Sequence, residues 1–369
     1  MKYRRMPIEM ESPEESGYAS IRCNLAESSV SDARLGELGI DLSDLVLAYD
    51  NHRGNPELRE LLAAEFPGIS AGDILLTPGA AAALFIVHTA LLEQGGRLLV
   101  QFPNYATNLE TPFAIGASIE KLELKFENGY HFSIEEAAKR ISPQTRLISI
   151  TQPNNPTGTM LNREELDALI RLAEESETYL LVDETYRDLT FGEKLPLAAT
   201  LSDRVISISS VSKAHGLPGI RIGWLITKNK SLQEQFLAAK EQIFICNSVV
   251  DETIALRYLQ SSAQRTEQLK RQVNANFTLL ENWMSGNAFF EWVKPSGGVV
   301  CFPRFKAGTI KEPDRFYQLL RETYSTHVGP GHWFGMGEEN FRIGFGWPRK
   351  AELEEGLGNL LKAAEDCAC

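Results

Sequence analysis

Ser210-Val211-Ser212-Lys213, followed by Ala214-His215-Gly216-Leu217-Pro218-Gly219-Ile220-Arg221-Ile222-Gly223-Trp224, decides how this chain is read. The run before it, Arg204 to Ser209, is apolar and isoleucine-rich and predicts a strand. Lys213 therefore sits just past a strand, in a loop of hydroxyls and glycines, and a second cation, Arg221, follows eight positions later. A lysine that is desolvated or crowded by positive charge gives up its proton and can form a Schiff base with a carbonyl compound. Ser210 and Arg221 offer what a bound phosphate needs, a hydroxyl donor and a planar, permanently charged fork. On its own such a stretch is more often a solvated lysine in a glycine-rich turn. Further segments decide against that reading.

They arrive in order. Tyr49 precedes Gly54-Asn55-Pro56-Glu57-Leu58-Arg59, and Gly79 opens Ala80-Ala81-Ala82-Ala83 at the start of an apolar helix. Pro153-Asn154-Asn155-Pro156-Thr157-Gly158 follows a strand, Val182-Asp183-Glu184-Thr185-Tyr186 ends another, and Phe341-Arg342-Ile343-Gly344-Phe345 comes near the C-terminus. With these motifs the chain resembles the class I and II aminotransferases, fold-type I enzymes dependent on pyridoxal 5′-phosphate (PLP). The resemblance runs from about residue 24 to residue 365. It is specific for the superfamily and weak on the substrate.

The resemblance assigns roles by position. Lys213 matches the lysine that bonds to the cofactor and then moves the substrate α-proton. Asp183, 30 residues earlier, matches the carboxylate that pairs with the protonated pyridine nitrogen and keeps the ring an electron sink. Tyr186 and Asn155 match the two donors to the cofactor's phenolic oxygen, and Tyr105, in Phe102-Pro103-Asn104-Tyr105, the aromatic that stacks on the ring. The phosphate cup is expected from backbone N–H groups of Ala80 and Ala81, the Ser210 hydroxyl and Arg221, because a helix N-terminus favours a dianion. Relatives carry a hydroxyl or a second glycine where the alanines stand. Tyr49 matches a tyrosine that reaches the phosphate of the neighbouring subunit, which implies a homodimer with shared sites. Arg342 matches the arginine that grips the substrate α-carboxylate through two parallel hydrogen bonds, and Gly331-His332-Trp333-Phe334-Gly335 the turn beside it.

The side-chain pocket is less legible. Asn24-Leu25-Ala26-Glu27-Ser28 takes the place of the family's early loop over the substrate, which makes Ala26 and Glu27 candidate substrate contacts. Glu27 either faces a cationic side chain or is a solvated loop acid. No arginine lies between Ile222 and Leu256, the region where dicarboxylate-specific relatives hold a distal carboxylate. Aspartate is therefore expected to be a poor donor, and neutral or cationic amino acids better ones.

Composition narrows the classes. The chain has 369 residues, 43% of them hydrophobic, enough for two lobes. A net charge of −12 is the wrong sign for a nucleic-acid footprint. The N-terminus lacks the apolar run of a signal peptide, and Ala80 to Leu92 is too short to span a bilayer, so a cytoplasmic protein without membrane contact is expected. Five scattered cysteines, an odd number, suit reduced thiols better than a disulfide framework. Six histidines with no HxH or HxxxH pair make a metal site an unexpected feature.

Between residues 45 and 270 the pattern alternates helix and strand. Arg97–Phe102, Arg146–Thr151, Tyr179–Val182, Arg204–Ser209 and Ile220–Thr227 read as strands buried on both faces, hence a mainly parallel sheet between helices. Pro56–Phe66 reads as a helix, and Asn162 with Glu165 caps another that ends near Ser176. After about 271 a second texture begins: a long helix through Met284, a turn into a strand at 297–302 and an amphipathic helix over 351–365. The expected division is an N-terminal arm with part of a small domain (1–40), a large α/β cofactor domain (41–270) and a small α/β domain (271–369).

The expected reaction exchanges an amino group between an α-amino acid and a 2-oxo acid. The same lysine, aspartate and phosphate cup would equally serve a decarboxylase, a lyase, a cyclising synthase or an oxidase on this scaffold. A non-catalytic regulator is the rival of another kind, and the intact Lys213 speaks against it.

Overall fold

The computed structural model describes residues 1–92 and 95–368; Cys369, part of the terminal Cys-Ala-Cys, lies outside them. Seven short apolar runs form one sheet: β1 (Ile74–Thr77), β2 (Arg97–Phe102), β3 (Ser118–Glu123), β4 (Thr145–Thr151), β5 (Tyr179–Asp183), β6 (Val205–Ser210) and β7 (Gly223–Ile226). Their order is β1-β7-β6-β5-β4-β2-β3, and β7 alone runs against its neighbours.

Successive strand residues point to opposite faces, and here both faces are covered. Leu98, Val100, Leu147, Leu181, Ile206 and Ile208 pack in one core with Leu84 and Val87. Leu99, Ile148, Ile150, Leu180, Val182 and Val205 pack in another with Leu166, Leu169 and Ile170. That is why the strands read as continuous apolar runs rather than alternating ones.

Before the sheet the chain forms α1 (Pro7–Glu11), α2 (Pro13–Ser16) and α3 (Pro56–Ala64), and the two faces are covered by α4 (Ala80–Leu91) and α5 (Arg163–Glu175). The α5 start is the expected reciprocal cap: Glu165 N–H donates to Asn162 Oδ1 at 2.9 Å and Asn162 N–H to Glu165 Oε2 at 2.8 Å. Three details differ from the sequence reading, the first being that β1, though short and buried throughout, is not among the strands it names. The strand expected over 220–227 is confined to β7, because Pro218–Ile220 forms a 3-10 turn and Arg221 takes a left-handed φ of 49°. β3 carried no apolar signal, since only Leu122 of its residues is buried at the sheet edge.

A second core lies beyond the sheet. Its helices are α6 (Ala263–Met284), which buries Leu269, Val273, Leu280 and Met284, and α7 (Lys350–Ala368), which buries Leu353, Leu357, Leu360 and Ala364. Both sets follow helical spacing. They pack on a small antiparallel sheet of β8 (Val300–Cys301), β9 (Gly329–Pro330) and β10 (Phe341–Gly344), with β10 in the middle.

The stretch from Leu25 to Val30 ties the two cores together. Leu25 N–H donates to His327 O and Gly344 N–H to Leu25 O, each at 2.8 Å, while Val30 N–H donates to Lys213 O at 3.0 Å. The approach is close: a Cβ on Gly344 would lie 1.7 Å from the Glu27 carbonyl oxygen, and one on Gly216 2.2 Å from that of Ser31.

Candidate active site

The parallel strands deliver their C-terminal ends to one cavity of about 310 Å³, where open α/β sheets bind ligands. Asp183 ends β5 and Ser210 ends β6, and Lys213 follows three residues later. Tyr105 and Asn155 come from the loops after β2 and β4, and Ala80 and Ala81 from the first turn of α4. These residues all line the cavity together with Tyr186 and Arg221.

Lys213 Nζ donates to Ser28 Oγ at 3.1 Å. Burial pushes its ammonium below the ordinary lysine value, and Arg342 and Arg221 push the same way against Glu27 and Glu14. Asp183 Oδ1 accepts from the Thr185 N–H at 3.1 Å and from the Thr185 hydroxyl at 2.5 Å. Those bonds fix the carboxylate plane and leave Oδ2 for the cavity. Burial raises the Asp183 carboxyl above its usual range, with the Thr185 bonds opposing, so a cationic partner in the cavity would relieve a real cost.

Across the cavity the Tyr105 hydroxyl donates to Glu9 Oε1 at 3.2 Å, and the Tyr186 hydroxyl to the Ser28 carbonyl at 2.8 Å. Arg342, on β10 opposite Gly329, is 3% exposed. Its guanidinium donates to Asn155 Oδ1 at 3.0 Å and to the Ala26 carbonyl oxygen, and its Nε has no partner. A buried orphan donor on a fork of this kind suits a carboxylate. Opposite it, α4 presents free backbone N–H groups beside Arg221. The approach needs glycine twice, since a Cβ on Gly79 would lie 2.4 Å from Arg221 Nη2 and one on Gly223 2.5 Å from the Gly79 carbonyl carbon.

The sequence profile described as "Aminotransferase class I and II" matches residues 28–360. The chain belongs to the class I and II aminotransferase family. It is 28% identical over 354 residues to capreomycidine synthase of Streptomyces vinaceus, covering 93% of this chain and 90% of that one. It is 26% identical over 329 residues to an aspartate aminotransferase of Pyrococcus horikoshii, covering 86% and 83%. The crystal structure of a PLP-dependent aminotransferase from Streptococcus suis superposes with a TM-score of 0.92 at 26% identity, over 100% of this chain and 99% of that one. The fold is that of fold-type I PLP enzymes, and this member of the class I and II aminotransferase family is a PLP-dependent enzyme.

The residues present fit that cofactor. The α4 N-terminus, Ser210 and Arg221 make a dianion cup in which neither alanine needs a side chain. Asp183 offers a buried carboxylate, and Lys213 a desolvated amine. Of the residues singled out in the sequence, Tyr49 stands apart from the cavity, 83% exposed. Ala26 takes part through its carbonyl. Glu27 is partly buried, accepts from the Tyr18 hydroxyl at 3.1 Å and is held above the ordinary carboxylate value by burial.

Sequence reasoning missed Ser28, Thr185, Glu9 and Glu14, which all line the cavity. Thr185 was findable, because a hydroxyl two residues after a strand-end aspartate commonly bonds back to it. Glu9 and Glu14 were not, since nothing in the sequence links α1 and α2 to residues a hundred positions on.

Proposed function

We propose that this enzyme is an aminotransferase exchanging an amino group between an α-amino acid and a 2-oxo acid. The observation that carries the reading is a desolvated Lys213 lining the cavity together with Asn155, behind which lies the buried, incompletely satisfied fork of Arg342. When bound, PLP supplies the electron sink that makes the donor's α-carbon acidic. Arg342 orients the α-carboxylate, Asn155 steadies Arg342 by accepting from it, and Lys213 Nζ takes the proton from the α-carbon. Asp183, aligned by Thr185, supplies the negative charge for the cofactor's ring nitrogen. With the cofactor bound, Tyr105 would flank its ring, Tyr186 and Asn155 would serve its phenolic oxygen, and Ala80, Ala81, Ser210 and Arg221 would hold the phosphate. Ala26 and Glu27 border the donor.

The working unit we propose is a homodimer, Tyr49 reaching the neighbouring subunit's phosphate. Its chain divides into an arm (1–40), a cofactor domain (41–270) and a small domain (271–369). Among the described residues no helix is long and apolar enough to cross a membrane, and no nucleic acid or membrane partner enters this reading.

A second reading stays in view because of the 28% identity to a synthase rather than a transaminase: the same residues acting at the donor's α-carbon without amino exchange, as in a cyclising synthase. One experiment separates the two. Purified holoenzyme is offered each common amino acid plus ornithine, with and without a 2-oxo acid. Amino exchange is expected to give the donor's 2-oxo acid and to turn over only when acceptor is present. Sustained product without acceptor, whether ammonia, carbon dioxide or a ring, would remove the aminotransferase reading in favour of the second.

A further inference from the structure

The N-terminal helices α1 and α2 border the cavity through one acid each, and their acids divide into paired and unpaired ones. Two are paired: Glu11 lies 2.8 Å from His332 Nε2, and Glu15 3.4 Å from Arg5. Glu9, half-buried, and Glu14, exposed at its rim, both line the cavity. With Glu27 they make three carboxylates that have no Lys, Arg or His within ion-pairing distance among the described residues. Their only side-chain partners are hydroxyls, Tyr105 for Glu9 and Tyr18 for Glu27. Glu14 and Glu27 act together on Lys213 and on Arg342, which places them at the donor end of the site.

A charge inventory shows what is left over. In the proposed reaction the cofactor phosphate answers Arg221, the donor's α-carboxylate answers Arg342, and the ring nitrogen answers Asp183. Lys213, already pushed toward its neutral form by burial, would add no positive charge to answer the remaining acids. Glu9, Glu14 and Glu27 then remain as three carboxylates with no cationic side chain beside them, and burial already weighs against the charged form of Glu27, so a cation entering the cavity would be drawn to them. The orphan Nε of buried Arg342 marks where the donor's carboxylate would anchor, and Glu14 and Glu27 lie near enough to act on the same guanidinium.

We infer that the donor is a basic amino acid, and that Glu9 and Glu14 of the N-terminal arm, with Glu27, form the subsite for its guanidinium or ammonium group. The inference rests on the site reading above and adds the substrate class to it. It also gives the arm a role: α1 and α2 are specificity elements rather than a loose leader.

The test is equilibrium binding to the intact holoenzyme, followed by the cofactor's absorbance, with L-arginine against uncharged L-citrulline and L-lysine against L-norleucine. The wild type is expected to bind each basic ligand at least tenfold more tightly than its neutral counterpart. Glu14→Gln and Glu27→Gln are each expected to cut that ratio by roughly tenfold, while Glu15→Gln, outside the cavity, leaves it intact. Equal wild-type affinity for arginine and citrulline would overturn the subsite, and so would an unchanged ratio in both glutamine variants. The wild-type comparison stands even if a variant fails to fold. Binding preference and amino exchange fail separately: preferential binding of arginine without 2-oxo acid formation sinks the aminotransferase reading and keeps the subsite, whereas exchange with neutral donors alone does the reverse.

Discussion

Arg342 shows how much one side chain can be asked to do. Its two Nη atoms are spoken for by Asn155 and the Ala26 carbonyl, and the Nε is left over, buried and without a partner. Burial pushes the guanidinium below its ordinary value, yet arginine remains charged, so the site holds a cation that only an anionic ligand can answer. Arg342→Lys keeps the charge and loses the fork. The expected cost is ~2–3 kcal/mol in donor binding, because charged bidentate bonds are among the stronger ones. Apparent donor affinity is expected to fall while the melting temperature moves little, and an undiminished affinity would place the carboxylate elsewhere. Arg342 was legible in the sequence only through its frame, FRIGF before a terminal helix. Its bond to Asn155 joins residues 187 positions apart, and no local pattern carries such a distance.

Elements differ in how openly they announce themselves. The strands β2, β4, β5 and β6 were readable because both their faces are buried and the whole run must be apolar. β3 was silent because an edge strand with a solvated face has no such constraint. Helix α4 was legible as apolar, but its one polar core residue was not explained by the sequence. His88 is fully buried, neither ring nitrogen has a partner, and burial pushes its pKa down to about 3. The folded protein thus holds a neutral imidazole where the unfolded chain takes a proton below about 6.5. The folded pKa is depressed, so stability is full above pH 6.5 and drains as pH falls toward 3, at roughly 1.4 kcal/mol per pH unit for this one group. His88→Leu removes both the titration and the orphaned nitrogens. Denaturant melts of the variant and the wild type are expected to diverge steadily from pH 7 to pH 5, the variant being the more stable. Parallel stability curves over that range would mean that His88 is solvated or hydrogen-bonded after all.

At the scale of the whole molecule, the fold was read correctly from motifs at strand ends, whereas one residue singled out for the site stands apart from the cavity. Every cavity residue that the sequence singled out for the cofactor comes together in this subunit except Tyr49, which at 83% is the most exposed large hydrophobic residue in the protein. Val46 and Leu47, at 75% and 76%, stand beside it in sequence. Bare apolar side chains so close together mark a surface that another protein would cover, and a second copy placing Tyr49 at the neighbour's phosphate would cover this one. A symmetric dimer with shared sites makes a strict prediction about mixtures. Tyr49→Phe is expected to weaken PLP retention and Lys213→Ala to abolish turnover. In a hybrid of the two, one site carries both defects and the other neither. Random reassortment makes half the dimers hybrid and half of their sites intact, so activity is expected to recover to about a quarter of wild type. Mixing after mild denaturation and refolding, with assay at limiting PLP, measures it. Recovery no greater than the sum of the two parents, or a fully active monomer by sedimentation, would confine the site to one chain and leave Tyr49 without a catalytic neighbour.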